Sequence, residues 1–344
     1  MMRGRLWRFG AVVAIMVIDC GIAATAFFVR LCTPWDTHDL GLWQMQVARI
    51  CAVSALVFLP IQCAALWLLL RPLWFQQSRL RKTHRRVRSV LKSGDLQIAF
   101  QPVLSMDNGE VVAVEALSRF PQQPSQGPDK WFAQADKVGL GVELELLALQ
   151  LALTEAAKLS THLDVAVNLS PCALNDPRAL ATLLNTATCP LRLIVEITEH
   201  CVVSDYTLLS RSRAQLREHG IRLSIDDAGA GYSSFRHIVT LAPDLIKLDR
   251  AIISSLDTDP ARRALVKSMV GFAGECSAQT VAEGVETQAE LATIKGLRVD
   301  QVQGYWTGRP TTDPDVWATW VGPSVKAPPA VPAHHLPFQR ISAA

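Results

Sequence analysis

Asp226 and Asp227 are adjacent carboxylates at the end of a short alternating run, and two carboxylates serving one site can hold a pair of divalent cations. Ile221, Leu223 and Ile225 alternate with Arg222 and Ser224, the period of a half-buried strand. A loop with Gly229 and Gly231 follows. Neighbours on a strand face opposite sides unless the backbone bends, and a glycine-rich turn after the pair makes a bend easy. By itself the pair also fits a surface turn, because Asp and Gly are common turn residues. Other stretches supply partners. Glu115, Asn168, Glu196, Asp226, Lys247 with Asp249, Glu283 and Gln303 each stand at or near the C-terminal end of a short apolar run. Singly, each reads as a helix cap, a first-turn acid or a solvated lysine; in succession they read as one site. Carboxylate and amide oxygens from four separate strands suit a hard cation, Mg²⁺ or Mn²⁺, and no His or Cys stands at zinc spacing. Paired ions about 3.5–4 Å apart clamp the attacking and leaving oxygens of phosphate-ester cleavage, and Asp226 with Asp227 could hold both. Lys247 and Arg119 add positive charge toward an anionic substrate.

These residues need a scaffold that gathers strand ends. The runs LQIAFQPV, VVAVEAL, DVAVNLS, RLIVEIT, IRLSIDD, DLIKLD, QTVAEGV and VDQVQG are separated by amphipathic stretches such as 143–159 and 206–219. The first two pair across MDNGE, where Asn108 and Gly109 supply hairpin chemistry. Alternating strands and helices over about 240 residues predict an α/β fold, a (β/α)8 barrel over 95–320 whose C-terminal strand ends form the catalytic face.

The N-terminal part is of another kind. Mean hydropathy is +0.20, and the excess lies in Phe9 to Val29, broken only by Asp19, and in the uncharged run Ile50 to Leu70. Each is long enough to cross about 30 Å of hydrocarbon. Arg3, Arg5 and Arg8 precede the first run and eight Lys or Arg follow the second, so both ends belong on the cytoplasmic side. The expectation is a two-helix transmembrane hairpin over 1–71 and a basic juxtamembrane helix over 72–94 that meets membrane lipid on the cytoplasmic side. AATA at 23–26 also fits a signal-peptide cleavage site. Cys32 and Cys51 fall near the outer surface, where a disulfide or two free thiols are both possible. Residues 1–98 carry 13 Lys and Arg against 4 Asp and Glu, net +9, leaving −6 for the rest. The barrel is therefore mildly acidic, which argues against a polymeric nucleic-acid partner. The proline-rich stretch 321–344, with His334 and His335, reads as a disordered tail.

VEALSR at 114–119, VNLSP at 167–171, VEITE at 195–199, IDDAGAGYSS at 225–234, IKLD at 246–249, AEGVET at 282–287 and QGYWTGRP at 303–310 resemble, in order, the motifs of the EAL-domain family. The resemblance covers about 95–320. It implies a TIM-like barrel with an antiparallel first strand, hydrolysis of cyclic di-GMP to linear pGpG, and commonly a homodimer. Carried over, Glu115, Asn168, Glu196 and Asp226 bind one metal and Asp227 joins at a second. Lys247 orients or polarises the attacking water, while Glu283 acts as general base or positions the lysine and second metal. Leu117, Arg119 and Gln303 belong to the substrate side, with Arg119 at a phosphate and Gln303 supporting the site from the last strand. Glu199 braces the loop after Asp227.

Two departures stand out. Where the family has DDFGTGYSS, this chain has Ala228 and Ala230, and the usual FxPxAE reads WFAQAD, with Gln134 and Asp136. No metal ligand is lost. The reading is a membrane-anchored phosphodiesterase; the alternative is an inactive EAL-like receptor that binds cyclic di-GMP or a protein partner.

Overall fold

The computed structural model describes residues 40–122, 126–160, 162–185, 191–198, 206–229 and 234–320. The chain falls into two compact units divided between Arg85 and Arg86. Helix α1 (Leu40–Ser93) contains the uncharged run 50–70 and the basic segment expected to be a separate linker helix. Among the described residues no helix is long and apolar enough to cross a membrane; the side chains at 50–59, the first half of that run, lie outside them. The run at 9–29, Asp19, Cys32, Glu199, Ala230 and the stretch 321–344 also lie outside the described residues.

In the second unit, eight strands close a barrel in sequence order. They are β1 (Gln97–Ser105), β2 (Val111–Arg119), β3 (Asp164–Asn168), β4 (Arg192–Thr198), β5 (Arg222–Ala228), β6 (Leu245–Leu248), β7 (Gln279–Ala282) and β8 (Gln301–Val302). β1 runs antiparallel to both β2 and β8, and the other pairs are parallel. The short connection Met106–Glu110 explains the reversal, since a parallel pair needs a long crossover. Gly109 takes φ +75° in that turn.

Period-two alternation divides each strand between two surroundings. Val114, Val165, Val167, Val195, Ile197, Leu223, Ile225, Ile246 and Leu248 join the large cluster under the helices. Val103, Ala113, Ala166, Ile194, Leu245 and Val281 form a separate small cluster inside the barrel. Two residues further along five of these strands, the inward position changes from apolar to polar. Ala113 leads to Glu115, Ala166 to Asn168, Ile194 to Glu196, Leu245 to Lys247 and Val281 to Glu283. The dry layer is the floor on which the polar layer stands. At the opposite strand ends, buried Asp164 pairs with Arg192 at 2.7 Å and with Arg222.

The helices on the outside complete the crossovers. Most relevant to the polar layer are α2 (Pro128–Lys137), α3 (Gly141–Ala156), α4 (Pro171–Leu174), α5 (Pro177–Asn185), α6 (Tyr206–Glu218), α7 (Ser234–Leu241), α8 (Arg250–Ile253), α9 (Pro260–Glu275) and α10 (Gln288–Gly296). The two amphipathic stretches predicted at 143–159 and 206–219 correspond to α3 and α6. Trp131 of α2, in the departing WFAQAD segment, is fully buried and stacks on Phe120 with ring centroids 4.7 Å apart.

Candidate active site

Lys247 is the centre of the polar layer. Its Nζ, buried at the end of β6, lies 2.7 Å from Glu283 Oε1, 2.9 Å from Glu196 Oε2, 3.2 Å from Asp226 Oδ1 and 3.4 Å from Glu115 Oε2. Asn168 Nδ2 donates to Glu115 Oε1 at 2.7 Å, so the amide oxygen is the atom not committed to that bond. Gln303 Nε2 donates to Glu115 Oε2 at 2.7 Å. Seven strand ends singled out in the sequence thus meet in one hydrogen-bonded group.

The antiparallel first strand contributes a residue that the sequence reading missed. Gln101 of β1 accepts from Gln303 Nε2 at 3.3 Å and donates to the Gly308 carbonyl at 3.0 Å. Its position pairs with Glu115 in the β1–β2 register, so the hairpin alignment could have found it. Glu145 was also missed: from α3 it accepts a 2.7 Å bond from Ser170 N, two residues past Asn168.

Asp226 and Asp227 face the same site because the strand bulges. The β5–β6 register shifts between Ile225 and Ala228, and Asp227 takes φ +57°. The expected bend is therefore within the carboxylate pair itself, and Gly229 at φ +105° continues it. Asp is among the few side chains that tolerate this left-handed region. Asp226, Asp227 and Glu283 each offer an oxygen within 4.8 Å of the others' oxygens.

One ammonium faces four carboxylates, three of them buried and Glu283 half-buried. Burial would depress Lys247, but Asp226, Glu115, Glu196 and Glu283 together hold it well above the usual lysine range. Burial pushes Glu283 up to about 8, with Asp226 and Glu115 adding to the rise against the pull of Lys247. Burial likewise holds Glu196 well above the carboxylate range. Glu115 is the exception: burial is outweighed by Lys247 and by the amide donors Gln303 and Asn168, so its carboxyl is held low. Asp227 is pushed up to about 6 by burial, then by Asp226 and Asp249. The surplus negative charge and the all-oxygen donor set fit a divalent cation, which would relieve both burial and repulsion.

Above this group lies an open cleft of about 280 Å³, lined by Glu115, Leu117, Asp227, Asp249, Arg250 and Glu283 among others. Leu117, expected on the substrate side, is on its wall. Arg119 is not among the lining residues; its Nη1 donates to the Ser118 carbonyl at 2.9 Å. Ala228 has no solvent exposure and belongs to the main core.

Fold and site define a class: a (β/α)8 barrel with a cluster of carboxylates, of a kind that suits a hard cation, at the C-terminal ends of its strands. Residues 84–310 match the EAL domain, and the chain belongs to that family. It is 32% identical over 249 residues to the bifunctional diguanylate cyclase/cyclic di-GMP phosphodiesterase MucR of Pseudomonas aeruginosa, covering 68% of this chain and 36% of MucR. A solved complex of the PaMucR phosphodiesterase with c-di-GMP superposes with a TM-score of 0.60 at 30% identity, covering 67% of this chain and 97% of that one. The calcium/cy-diGMP complex of Klebsiella pneumoniae BlrP1 gives 0.57 at 29% identity, covering 63% of this chain and 56% of that one. The chain spans about a third of the length of the curated relatives it matches.

Proposed function

We propose that this protein hydrolyses cyclic di-GMP to linear pGpG. The observation that carries the proposal is the convergence of Glu115, Glu196, Asp226 and Glu283, from four strands, within 2.7–3.4 Å of Lys247 Nζ beneath an open cleft. The relatives' substrates and the calcium and cy-diGMP bound by BlrP1 support the same reading.

Glu115, Asn168, Glu196 and Asp226 would hold one divalent ion, Mg²⁺ or Mn²⁺, and Asp226, Asp227 and Glu283 a second. When bound, such ions stabilise the charge that develops on the phosphate. The chain's own residues do the rest. Glu283 takes a proton from the attacking water as the water oxygen bonds to phosphorus; the bond from phosphorus to the ribose 3′ oxygen breaks, and that oxygen leaves as an alkoxide that takes up a proton from solvent. Lys247 keeps Glu283 oriented through their 2.7 Å contact. Gln303 and Asn168 fix both oxygens of Glu115. Leu117 shapes the wall of the substrate cleft, and Arg119, at the end of the same strand, meets a phosphate after leaving the Ser118 carbonyl.

The test is chromatography of pGpG formed by the purified full chain with Mg²⁺ or Mn²⁺, beside Glu115→Ala. Product from the wild type and none from the variant supports the proposal. Nucleotide binding without product points instead to a receptor, the reading that Ala228 and Ala230 favour. Light scattering on the same sample tests a homodimer through the barrel.

A bacterial inner-membrane location with the barrel in the cytoplasm belongs to the same proposal, supported by the uncharged run 50–70 and the basic residues after it. Retention in the membrane pellet after carbonate extraction is the expected outcome; release at alkaline pH refutes it.

A further inference from the structure

Glu290 is buried on α10, outside the lining of the cleft. Its carboxylate collects three backbone N–H groups. Oε2 accepts from Glu286 N and Thr287 N, each at 3.0 Å, and Oε1 accepts from Ser255 N at 3.0 Å. Thr287 Oγ1 accepts from Glu290 N at 3.2 Å, completing a capping box at the start of α10. A capping box requires only the reciprocal bond to the cap residue's N–H. The bonds to Glu286 and Ser255 are additional, and Ser255 belongs to a different loop.

That second loop follows β6 and α8, downstream of Lys247 and Asp249, and Ser255 takes φ +61° in it. The first loop follows β7 and begins with Glu283. The two meet again at the cleft. Arg250 Nη2 pairs with Glu286 Oε1 at 2.8 Å, and the Arg250 stem lies where a side chain on Gly284 would be, at φ +65°. At their roots, Glu283 N donates to the Leu248 carbonyl at 3.1 Å. Exposed ion pairs such as Arg250 with Glu286 hold weakly, whereas three charge-assisted bonds to one buried carboxylate hold well.

We infer that Glu290 is a positioning residue for the Lys247–Glu283 pair: it clamps the loop after α8 to the loop after β7, so that the two strand ends move as one body. The inference rests on the phosphodiesterase reading for its kinetic consequence, but the clamp is measurable without it. Gln at 290 keeps the shape and replaces one accepting oxygen with a donor.

The experiment compares full-length wild type, Glu290→Gln and Thr287→Ala with Mn²⁺ and cyclic di-GMP. Thr287→Ala weakens the helix cap while leaving Glu290 and its loop bonds in place. Misplacement of a reacting group lowers turnover steeply, so Glu290→Gln is expected to lose about tenfold or more in kcat with KM within about twofold. Thr287→Ala is expected to lower Tm while keeping kcat near the wild-type value. Amide exchange at Ser255 and Glu286 quickens in Glu290→Gln only. Wild-type kcat in Glu290→Gln, an equal kcat loss in Thr287→Ala, or unchanged exchange at Ser255 overturns the inference. If the wild type itself forms no pGpG, the proposed function fails, and exchange at Ser255 and Glu286 still decides the clamp.

Discussion

Lys247→Met separates what the ammonium does for the fold from what it does for the reaction. Methionine keeps much of the volume and removes the charge. Removing one partner of a buried ion pair costs about 3–5 kcal/mol, because the remaining charge is left uncompensated. Here the ammonium faces four carboxylates at 2.7–3.4 Å, so the metal-free variant is expected at the upper end of that range. For a domain of this size that lowers Tm by about 10–20 °C.

The pH dependence gives the sharper test. Glu196 and Glu283 are already held above the carboxylate range by burial, and Lys247, with the amides of Gln303 and Asn168, lowers Glu115 against its burial. Without the ammonium all three rise. A carboxyl whose folded pKa lies above its unfolded value costs stability above the unfolded pKa and nothing below it. The deficit of Lys247→Met relative to wild type is therefore smallest near pH 4 and grows toward pH 8. Mn²⁺ at 100 times its Kd restores about 2.7 kcal/mol by binding the folded state alone, yet pGpG formation stays lost because the ion does not replace the ammonium that faces Glu283 at 2.7 Å. Thermal unfolding in EDTA, followed by circular dichroism from pH 4 to 8, reads the effect. A variant as stable as the wild type at pH 8 in EDTA refutes the ion-cluster argument.

Two further outcomes follow from the same geometry. The Asp227 carboxyl at about 6 and the Glu283 carboxyl at about 8 must lose their protons before binding a cation, so Mn²⁺ affinity by calorimetry should rise about tenfold per unit from pH 6 to 8 and fall more steeply below 6; a flat profile refutes this. Ala228→Phe restores the family residue at a position with no exposure in the main core, and overpacking should cost about 1–3 kcal/mol. Urea unfolding checks it, and a stabilised, more active variant would show that the core around Ala228 retains room for an aromatic ring.

Much of this site was legible because a barrel is periodic. The step from Ala113 to Glu115, or from Leu245 to Lys247, is the alternation of a single strand, and closure brings such steps together whatever lies between them. What strand alternation does not encode stayed hidden. Gln101 enters through the reversed first strand, whose pairing partner is set by the hairpin register. Glu290 and Glu145 act through backbone N–H groups of distant loops, and no spacing in the sequence links Glu290 to Ser255 or Glu145 to Ser170. The Arg119 side chain bonds Ser118 at the end of β2, a choice of rotamer rather than of strand position.

The bend at Asp227 shows how one residue can answer two demands. Bringing consecutive carboxylates to one face requires the β5 bulge, and the bulge places Asp227 at φ +57°. Most side chains pay about 1–2 kcal/mol there, whereas Asn and Asp are tolerated through local hydrogen bonds. Asp227 N also donates to Asp226 Oδ1 at 3.0 Å, a bond that does not depend on the side chain at 227. Asp227→Asn therefore keeps the backbone and removes only the charge, while Asp227→Ala removes both. The expected result is that in metal-free urea unfolding at about pH 7 Asn is at least as stable as wild type, because it removes a carboxylate that burial, Asp226 and Asp249 disfavour, and that Ala falls about 1 kcal/mol below Asn, with both losing Mn²⁺ affinity. Equal stability of the two variants would mean that the bulge is held by β6 and the following glycine alone, and that aspartate stands at 227 for its charge and nothing else.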